Sequence, residues 1–317
     1  MLDNVLVITV RKSFWASREA ERFPNRIYTR ILYGRSGNLT NSLLVFARGM
    51  LACARLRPRV IFVGSAHRIV PWLIALRRLG LLRKTKLLVT NHIDFDDQQA
   101  RHVDRIIVYS RGQIDLHDPA LRDRYVFMPL PADGDFAAVE RPDRTDAFVF
   151  SGGGGLRDFP ALIEAVRGLD DVRVEIVTFS PQLLGFDGSL PPNCEVQGRL
   201  PLPQFLGMAA AARFVAVPLK AGPAPHGQTT VVQAIRLGKA LVATRDASLE
   251  DYVEDGKNGL LVDAGDVDGY RDAVRRMWDD DELRASCERE AAARAGELTY
   301  EAFAARIGAL CEELVRR

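Results

Sequence analysis

"HGQTTVVQAIRLGKALVAT", residues 226 to 244, sets a glycine, an amide and two hydroxyls ahead of an apolar helix, and a strand after it. Wound at 3.6 residues per turn, Val231, Ala234 and Ile235 fall on one stripe, while Thr229 and Gln233, four apart, share the opposite face. The stripe predicts a helix laid on a sheet, with a polar first turn that looks out at a ligand. "FVAVPL" (214 to 219) before it and "ALVAT" (240 to 244) within it are short and rich in Val and Ala. The stretch therefore reads as one strand, helix, strand unit of a parallel sheet.

The same rhythm runs along the chain. "VLVITV" (5 to 10), "RVIFVG" (59 to 64), "KLLVTN" (86 to 91), "RIIVYS" (105 to 110) and "YVFMPL" (125 to 130) read as strands, with amphipathic segments "NSLLVFARGMLACARL" and "IVPWLIALRRLGLL" between the first three. A polar, Pro-containing stretch, "PADGDFAAVERPDRTD" (131 to 146), reads as a linker. A second series follows from "FVFSGG" (148 to 153) through "VRVEIVTF" (172 to 179) and the quoted unit to "GLLV" (259 to 262). The fold class predicted is α/β, two tandem Rossmann-like doubly wound domains facing a cleft. Residues 1–138 form the first domain and 139–300 the second, with a helix at 301–317 free to cross back to the first. Open sheets of this kind bind ligands at the carboxyl ends of their strands, which makes the cleft the expected site. The tail from Val267 reads as three charged amphipathic helices.

Composition narrows the function classes. A chain of 317 residues supplies two sizeable cores. It has no run of eighteen apolar residues, and "MLDNVLVITV" is too short and lacks the basic lead-in of a secretory signal, so a cytoplasmic location is expected. Cys53, Cys194, Cys287 and Cys311 are far apart and form no CxxC pair, which argues against a zinc site or a disulfide framework. Net charge is +2, yet residues 1 to 145 carry 24 Lys and Arg against 14 Asp and Glu, and the span from Arg22 to Ile93 carries fourteen cations and no acid. A field of one sign attracts phosphate-bearing partners, lipid head groups among them. "WLIALRRLGLLRKTK" (72 to 86) reads either as a segment lying on an anionic membrane or as a crossover helix that buries its leucines and solvates its arginines. No nucleic-acid reader motif accompanies the basic span, so nucleic acid is not an expected partner.

Local chemistry points to an anion at the quoted helix. The amides of a helix start form an anion pocket; Gly227 allows close backbone approach, and Thr229 and Thr230 add hydroxyl donors beside Gln228 and His226. Gln233, one turn deeper, suits a ribose or sugar hydroxyl. "SGGGG" (151 to 155), placed after a strand and before a helix, reads as a phosphate loop rather than a flexible turn. A nucleotide diphosphate sugar fits this order of groups.

"GQTTVVQAIRLGKALVATRDASLEDYVEDGKNGLLV" (227 to 262) resembles the donor-binding segment of GT-B glycosyltransferases, closest to glycosyltransferase family 4. "VDRIIVYSRGQ" (103 to 113), "MPLPADGDF" (128 to 136) and "GGGGLRDFPALIEAV" (152 to 166) resemble further parts of that pattern. The resemblance implies glycosyl transfer from a nucleotide-diphosphate sugar, with no catalytic metal and no other cofactor. It also implies a diphosphate neutralised by Arg157 and Lys220 near Gly152 and Gly153, and a histidine facing the sugar at His92, with Asp94 and Asp96 beside it. Retention is favoured, with His92 positioning the sugar; an inverting reaction would use His92 or a neighbouring aspartate as base. His67 also follows a strand. Three departures stand out. The family's two glutamates meet Gln233 and the Pro225–His226 region, one cation of the family's pair meets Gly152, and "RKSFWAS" replaces the Gly-Gly loop after the first strand. A catalytically silent nucleotide-binding homologue is therefore the alternative. A nucleotide-sugar 2-epimerase ranks below it, because its acidic motif is absent from "APHGQTTVVQA".

Overall fold

Val and Ile crowd the helical turn and fit the pleated one, and the runs rich in them form strands. In a computed structural model of the chain, which describes residues 4–9, 26–28, 39–64, 67–90, 96–132, 134–179, 190–222 and 225–316, those strands make two six-stranded sheets. The first holds β1 (Val5–Thr9), β2 (Arg26–Tyr28), β3 (Val60–Gly64), β4 (Lys86–Thr90), β5 (Arg105–Val108) and β6 (Tyr125–Phe127), in the order β2-β1-β3-β4-β5-β6. The second holds β7 (Val149–Gly153), β8 (Val174–Thr178), β9 (Cys194–Gln197), β10 (Phe214–Val217), β11 (Leu241–Thr244) and β12 (Gly259–Val262), in the order β12-β11-β10-β7-β8-β9. Every neighbouring pair is parallel. Helices among the described residues are α1 (Leu39–Leu56), α2 (Val70–Arg78), α3 (Asp97–Ala100), α4 (Phe159–Val166), α5 (Leu202–Ala211), α6 (Gln228–Arg236), α7 (Val267–Asp279), α8 (Asp281–Arg294) and α9 (Tyr300–Arg316). None is long and apolar enough to cross a membrane.

One compact unit comprises residues 1–128 with 300–317, the other 129–299. In the first, Leu6, Ile61 and Leu87 line up across β1, β3 and β4, and Val89 and Ile106 across β4 and β5, all in a buried core. α9 buries Phe303, Ile307, Cys311 and Leu314, packs against β3 and β4, and sets the ring of Phe303 6.2 Å from that of Tyr109. The tail helices thus divide, α7 and α8 belonging to the second unit and α9 to the first. α2 buries Val70, Leu73 and Ile74 and stops at Arg78, so residues 72 to 86 do not form one crossover helix with all its leucines covered. Leu79 and Leu81 are 74% and 70% exposed.

Asp104 ties α2 to this sheet. Its carboxylate accepts from Arg77 Nη1 (2.5 Å) and from Leu87 N (2.9 Å), with Lys86 Nζ 3.7 Å away. Burial pushes the carboxyl up, but the Arg77 and Leu87 hydrogen bonds and the charges of Arg77 and Lys86 outweigh it, and the net shift is below the ordinary 3.8. A carboxylate depressed in the folded state stabilises the protein above its unfolded-state value and loses that contribution as pH falls through the folded-state value. Asp104→Asn is therefore expected to cost about 2 kcal/mol near neutrality. The gap between its denaturation midpoint and that of the wild type should begin to narrow only below about pH 4 and close below the depressed folded-state value; a gap that does not narrow on acidification would contradict this.

The second unit, counted from β7, has the strand order 3-2-1-4-5-6 of a dinucleotide-binding sheet, and the strand order reverses between β7 and β10. Ser151 Oγ on β7 donates to the Ala216 carbonyl on β10 (2.8 Å), fixing the two strands at that point. Phe148, Phe150, Val215, Val217, Val231 and Ile235 are fully buried in the core on one side of the sheet. Residues 131 to 146 are docked rather than free. Leu130 N donates to Tyr252 Oη (3.0 Å), Ala132 N to the Leu298 carbonyl (2.9 Å), and the Glu140 carbonyl lies where a side chain on Gly207 of α5 would begin.

Candidate donor site

The carboxyl ends of β7 and β10 lead into two loops that run together. Arg157 and Leu219 form an isolated antiparallel bridge, Lys220 N donates to the Leu156 carbonyl (3.0 Å), and Asp158 N donates to the Pro218 carbonyl (3.1 Å). Asp158 caps α4 by accepting from Ala161 N (3.3 Å). Leu219 N is held by Thr244 Oγ1 (2.7 Å) at the end of β11. Three consecutive strands thus present their carboxyl ends to one place, where the sheet's topology locates a ligand.

Gly152, Gly153, Arg157 and Thr230 meet there. Arg157 Nε donates to the Gly152 carbonyl (3.2 Å) and Arg157 Nη2 to Thr230 Oγ1 (2.9 Å), while Thr230 Oγ1 donates to that same carbonyl (3.3 Å). Gly153 has φ +127, and a Cβ on it would fall 2.7 Å from Arg157 Nη2, so a side chain at this position would expel the guanidinium. Arg157 keeps some solvent exposure, yet burial of its guanidinium brings its pKa down to about 10. It stays charged at neutral pH, with no carboxylate bonded to it among the described residues. A poorly solvated cation of this kind interacts strongly with any anion that reaches it.

The start of α6 adjoins this cluster, with Gly227 as N-cap in the left-handed region (φ +78) and no side-chain cap. Gly227 serves packing more than approach to a ligand, since a Cβ there would touch Leu219 at 3.1 Å. Thr229 is exposed on the first turn, and Lys220 is exposed on the loop after β10. Gln228 is buried, its Nε2 donating to the Ser248 carbonyl (3.1 Å). One expectation changes here. Gln233 does not share an exposed face with Thr229 but is 5% exposed, and Thr230 is equally covered. α6 lies on β10 with one side and against α5, α8 and the turn at Ala295–Leu298 with the other, so solvent reaches it only at Thr229 of the first turn and, in part, at Arg236 at its end.

His226 is half-buried and clipped in place by Ser248, whose Oγ accepts from His226 N (3.3 Å) and lies 3.1 Å from the His226 carbonyl. Ser248 Oγ also donates to Asp246 Oδ1 (2.5 Å). The imidazole Nε2 is buried without a hydrogen-bond partner among the described residues. Burial lowers the His226 pKa, Asp246 opposes and Arg157 adds to the lowering, so the ring is neutral at pH 7. Asp246, Ser248 and Thr244 were not singled out from the sequence. The signal was present, since all three lie in the "VATRDASLE" part of the family-like stretch.

His92 and Asp94 lie outside the described residues, as does the side chain of His67. Asp96 is committed as the N-cap of α3, accepting from Gln99 N (2.7 Å).

Residues 155–280, which hold Arg157, Lys220 and the whole of α6, match the family described as glycosyl transferases group 1. The chain is 32% identical over 117 residues to a D-inositol 3-phosphate glycosyltransferase of Corynebacterium jeikeium, covering 36% of this chain and 26% of that one. It is 32% identical over 136 residues to the lipopolysaccharide core biosynthesis glycosyltransferase LpsE of Rhizobium meliloti, covering 40% and 38%. The matched stretches therefore span well under half the length of each curated relative. Among solved structures, a glycosyltransferase of Rickettsia africae is 10% identical with a TM-score of 0.71, covering 99% of both chains. Anabaena HepE in complex with UDP-glucose is 14% identical with a TM-score of 0.69, covering 98% of this chain and 99% of that one. Likeness at those identities shows the fold, two parallel α/β sheets of the GT-B glycosyltransferase kind.

Proposed function

With residues 155–280 carrying the group 1 glycosyl transferase pattern, we propose that this chain moves a glycosyl group from a nucleotide-diphosphate sugar to an acceptor, without a catalytic metal. The observation that carries this reading is the convergence of Arg157, Thr230 and the Gly152–Gly153 turn at the topological switch of the second sheet. The donor's diphosphate rests against the Arg157 guanidinium and the first amides of α6, with Thr229 and Lys220 at its exposed side. Breaking the glycosidic bond leaves negative charge on the diphosphate. A fixed, poorly hydrated cation stabilises that charge more than the ground state, which is where the acceleration arises. His226, neutral and with Nε2 unbonded among the described residues, donates to or accepts from the donor. The buried Gln233 acts from behind the first turn rather than as an open ribose ligand. His92 and Asp94 are assigned to the sugar by the resemblance alone, with retention favoured. The basic first unit meets an anionic surface such as a membrane.

That a UDP-glucose complex exists for HepE supports beginning with UDP. In a thermal-shift panel of UDP, GDP, TDP and ADP, one nucleotide at a hundred times its dissociation constant is expected to add about 2.7 kcal/mol of stability. This raises the midpoint by several degrees, and the corresponding nucleotide sugar should then be consumed when an acceptor is supplied. Binding without consumption across an acceptor panel would favour the silent homologue, and no shift with any of the four would overturn the donor reading.

A further inference from the structure

On the first unit, the carboxyl end of α1 and the turn that follows α2 face each other across a groove of 1120 Å³. Arg57, Arg59, Arg83, Lys84 and Lys86 line it, and no acidic residue does. Lys86 has Asp104 3.7 Å away; the other four have no ionic partner among the described residues. The floor is apolar, built from Met50, Leu76, Leu82 and Leu314. Arg59 precedes β3 and Lys86 opens β4, so the groove lies at the amino edge of its sheet, opposite the edge where doubly wound sheets bind substrates.

The surroundings of the groove are as uneven as its lining. Leu81 on its rim and the nearby Leu79 stand almost free of the fold. Along the outer face of α1, Leu44, Arg48, Leu51 and Arg55 recur at helical spacing and are all exposed. A soluble phosphate compound would call for the cations and leave the leucines unexplained, whereas an apolar protein partner would leave four unpaired cations at the interface. Protruding leucines among unpaired cations are what an anionic bilayer recognises, the acyl boundary taking the first and the lipid phosphates the second.

We propose that this groove seats the phosphate of an anionic membrane lipid while Leu79 and Leu81 enter the acyl boundary, docking the first unit on the bilayer. This deepens the assignment of an anionic surface to the first unit and is independent of the donor site.

The test is co-sedimentation of the full chain with vesicles of phosphatidylcholine alone or with about 30% phosphatidylglycerol, at about 0.15 M salt. Pelleting is expected only with the anionic vesicles. Arg57 has φ 47, directly after the end of α1, a conformation that glycine adopts without strain. Arg57→Gly therefore removes a cation while keeping the fold, and is expected to reduce partitioning about fivefold. Arg83→Gln with Lys84→Gln should reduce it about 25-fold on the same scale, and Leu79→Ser with Leu81→Ser more than tenfold. Inorganic phosphate at about ten times the lipid concentration should not release the protein, because each cation's attraction to the surface is collective. The nucleotide thermal shift of every variant should equal that of the wild type. Equal pelleting with neutral vesicles, release by inorganic phosphate, or wild-type partitioning of the Arg57→Gly and Arg83→Gln/Lys84→Gln variants would overturn the proposal.

Discussion

Arg157→Ala is expected to lower nucleotide affinity about a hundredfold, the equivalent of roughly 3 kcal/mol and the range of a charge-assisted contact to phosphate. The same change should alter the stability of the free protein far less. Two terms oppose each other there: the guanidinium gives up its bonds to the Gly152 carbonyl and Thr230 Oγ1, while an incompletely solvated charge is removed from the folded state. The Gly152 carbonyl also keeps its bond from Thr230 Oγ1. Arg157→Lys should not restore binding, because one ammonium cannot hold the carbonyl and the hydroxyl together while facing a diphosphate. Thr230→Val is milder, removing one of two donors from a buried carbonyl at a cost of about 1 kcal/mol. Calorimetric titration with the nucleotide chosen by the thermal-shift panel measures the difference, and unchanged affinity in Arg157→Ala would place the phosphate site elsewhere.

Phe150→Ala is expected to cost about 3 to 5 kcal/mol of stability, the range for removing a fully buried ring from a core that only partly collapses. Phe150 has no exposed surface, and its ring meets the edge of Phe205 at 5.0 Å with an interplanar angle of 82°. The pair lies directly beneath the glycine turn, since a Cβ on Gly152 would fall 2.5 Å from Phe205 and 3.1 Å from Phe150. The cavity should therefore loosen the carbonyl that Arg157 and Thr230 share, so nucleotide affinity falls along with stability. Chemical denaturation read by two probes, one for each unit's transition, gives the first quantity. A loss below 1 kcal/mol would mean that these rings do not form the floor of the site.

What the sequence revealed and what it hid divide along a physical line. Local chemistry was enough for the strands, because Val and Ile runs such as "VIFVG" and "VEIVT" declare themselves residue by residue. The turn before β12 is also held together by local contacts. There Gly256 takes a positive φ, Asn258 bridges Glu254 N and the Tyr252 carbonyl, and a Cβ on Gly259 would strike the Leu241 carbonyl at 2.7 Å. Part of the family-like stretch thus specifies fold rather than chemistry. β2 escaped notice because three residues, Arg26–Tyr28, carry too little pattern. Gln233 was misplaced because a helical wheel shows which residues share a face but not what covers it. The cover on the second face of α6 comes from α8, more than forty residues onward. The bond between Arg157 and Thr230 spans 73 positions, and no spacing rule reaches that far.

The return of α9 to the first unit has a consequence for biosynthesis. Translation delivers Tyr300 about 170 residues after Met128, a wait of roughly ten to thirty seconds at ordinary elongation rates. By the end of that interval the second unit has its entire chain, whereas the first still lacks the helix that covers β3 and β4. A nascent-chain chaperone would find its client surface there, on the part of the protein that was made earliest and is finished last.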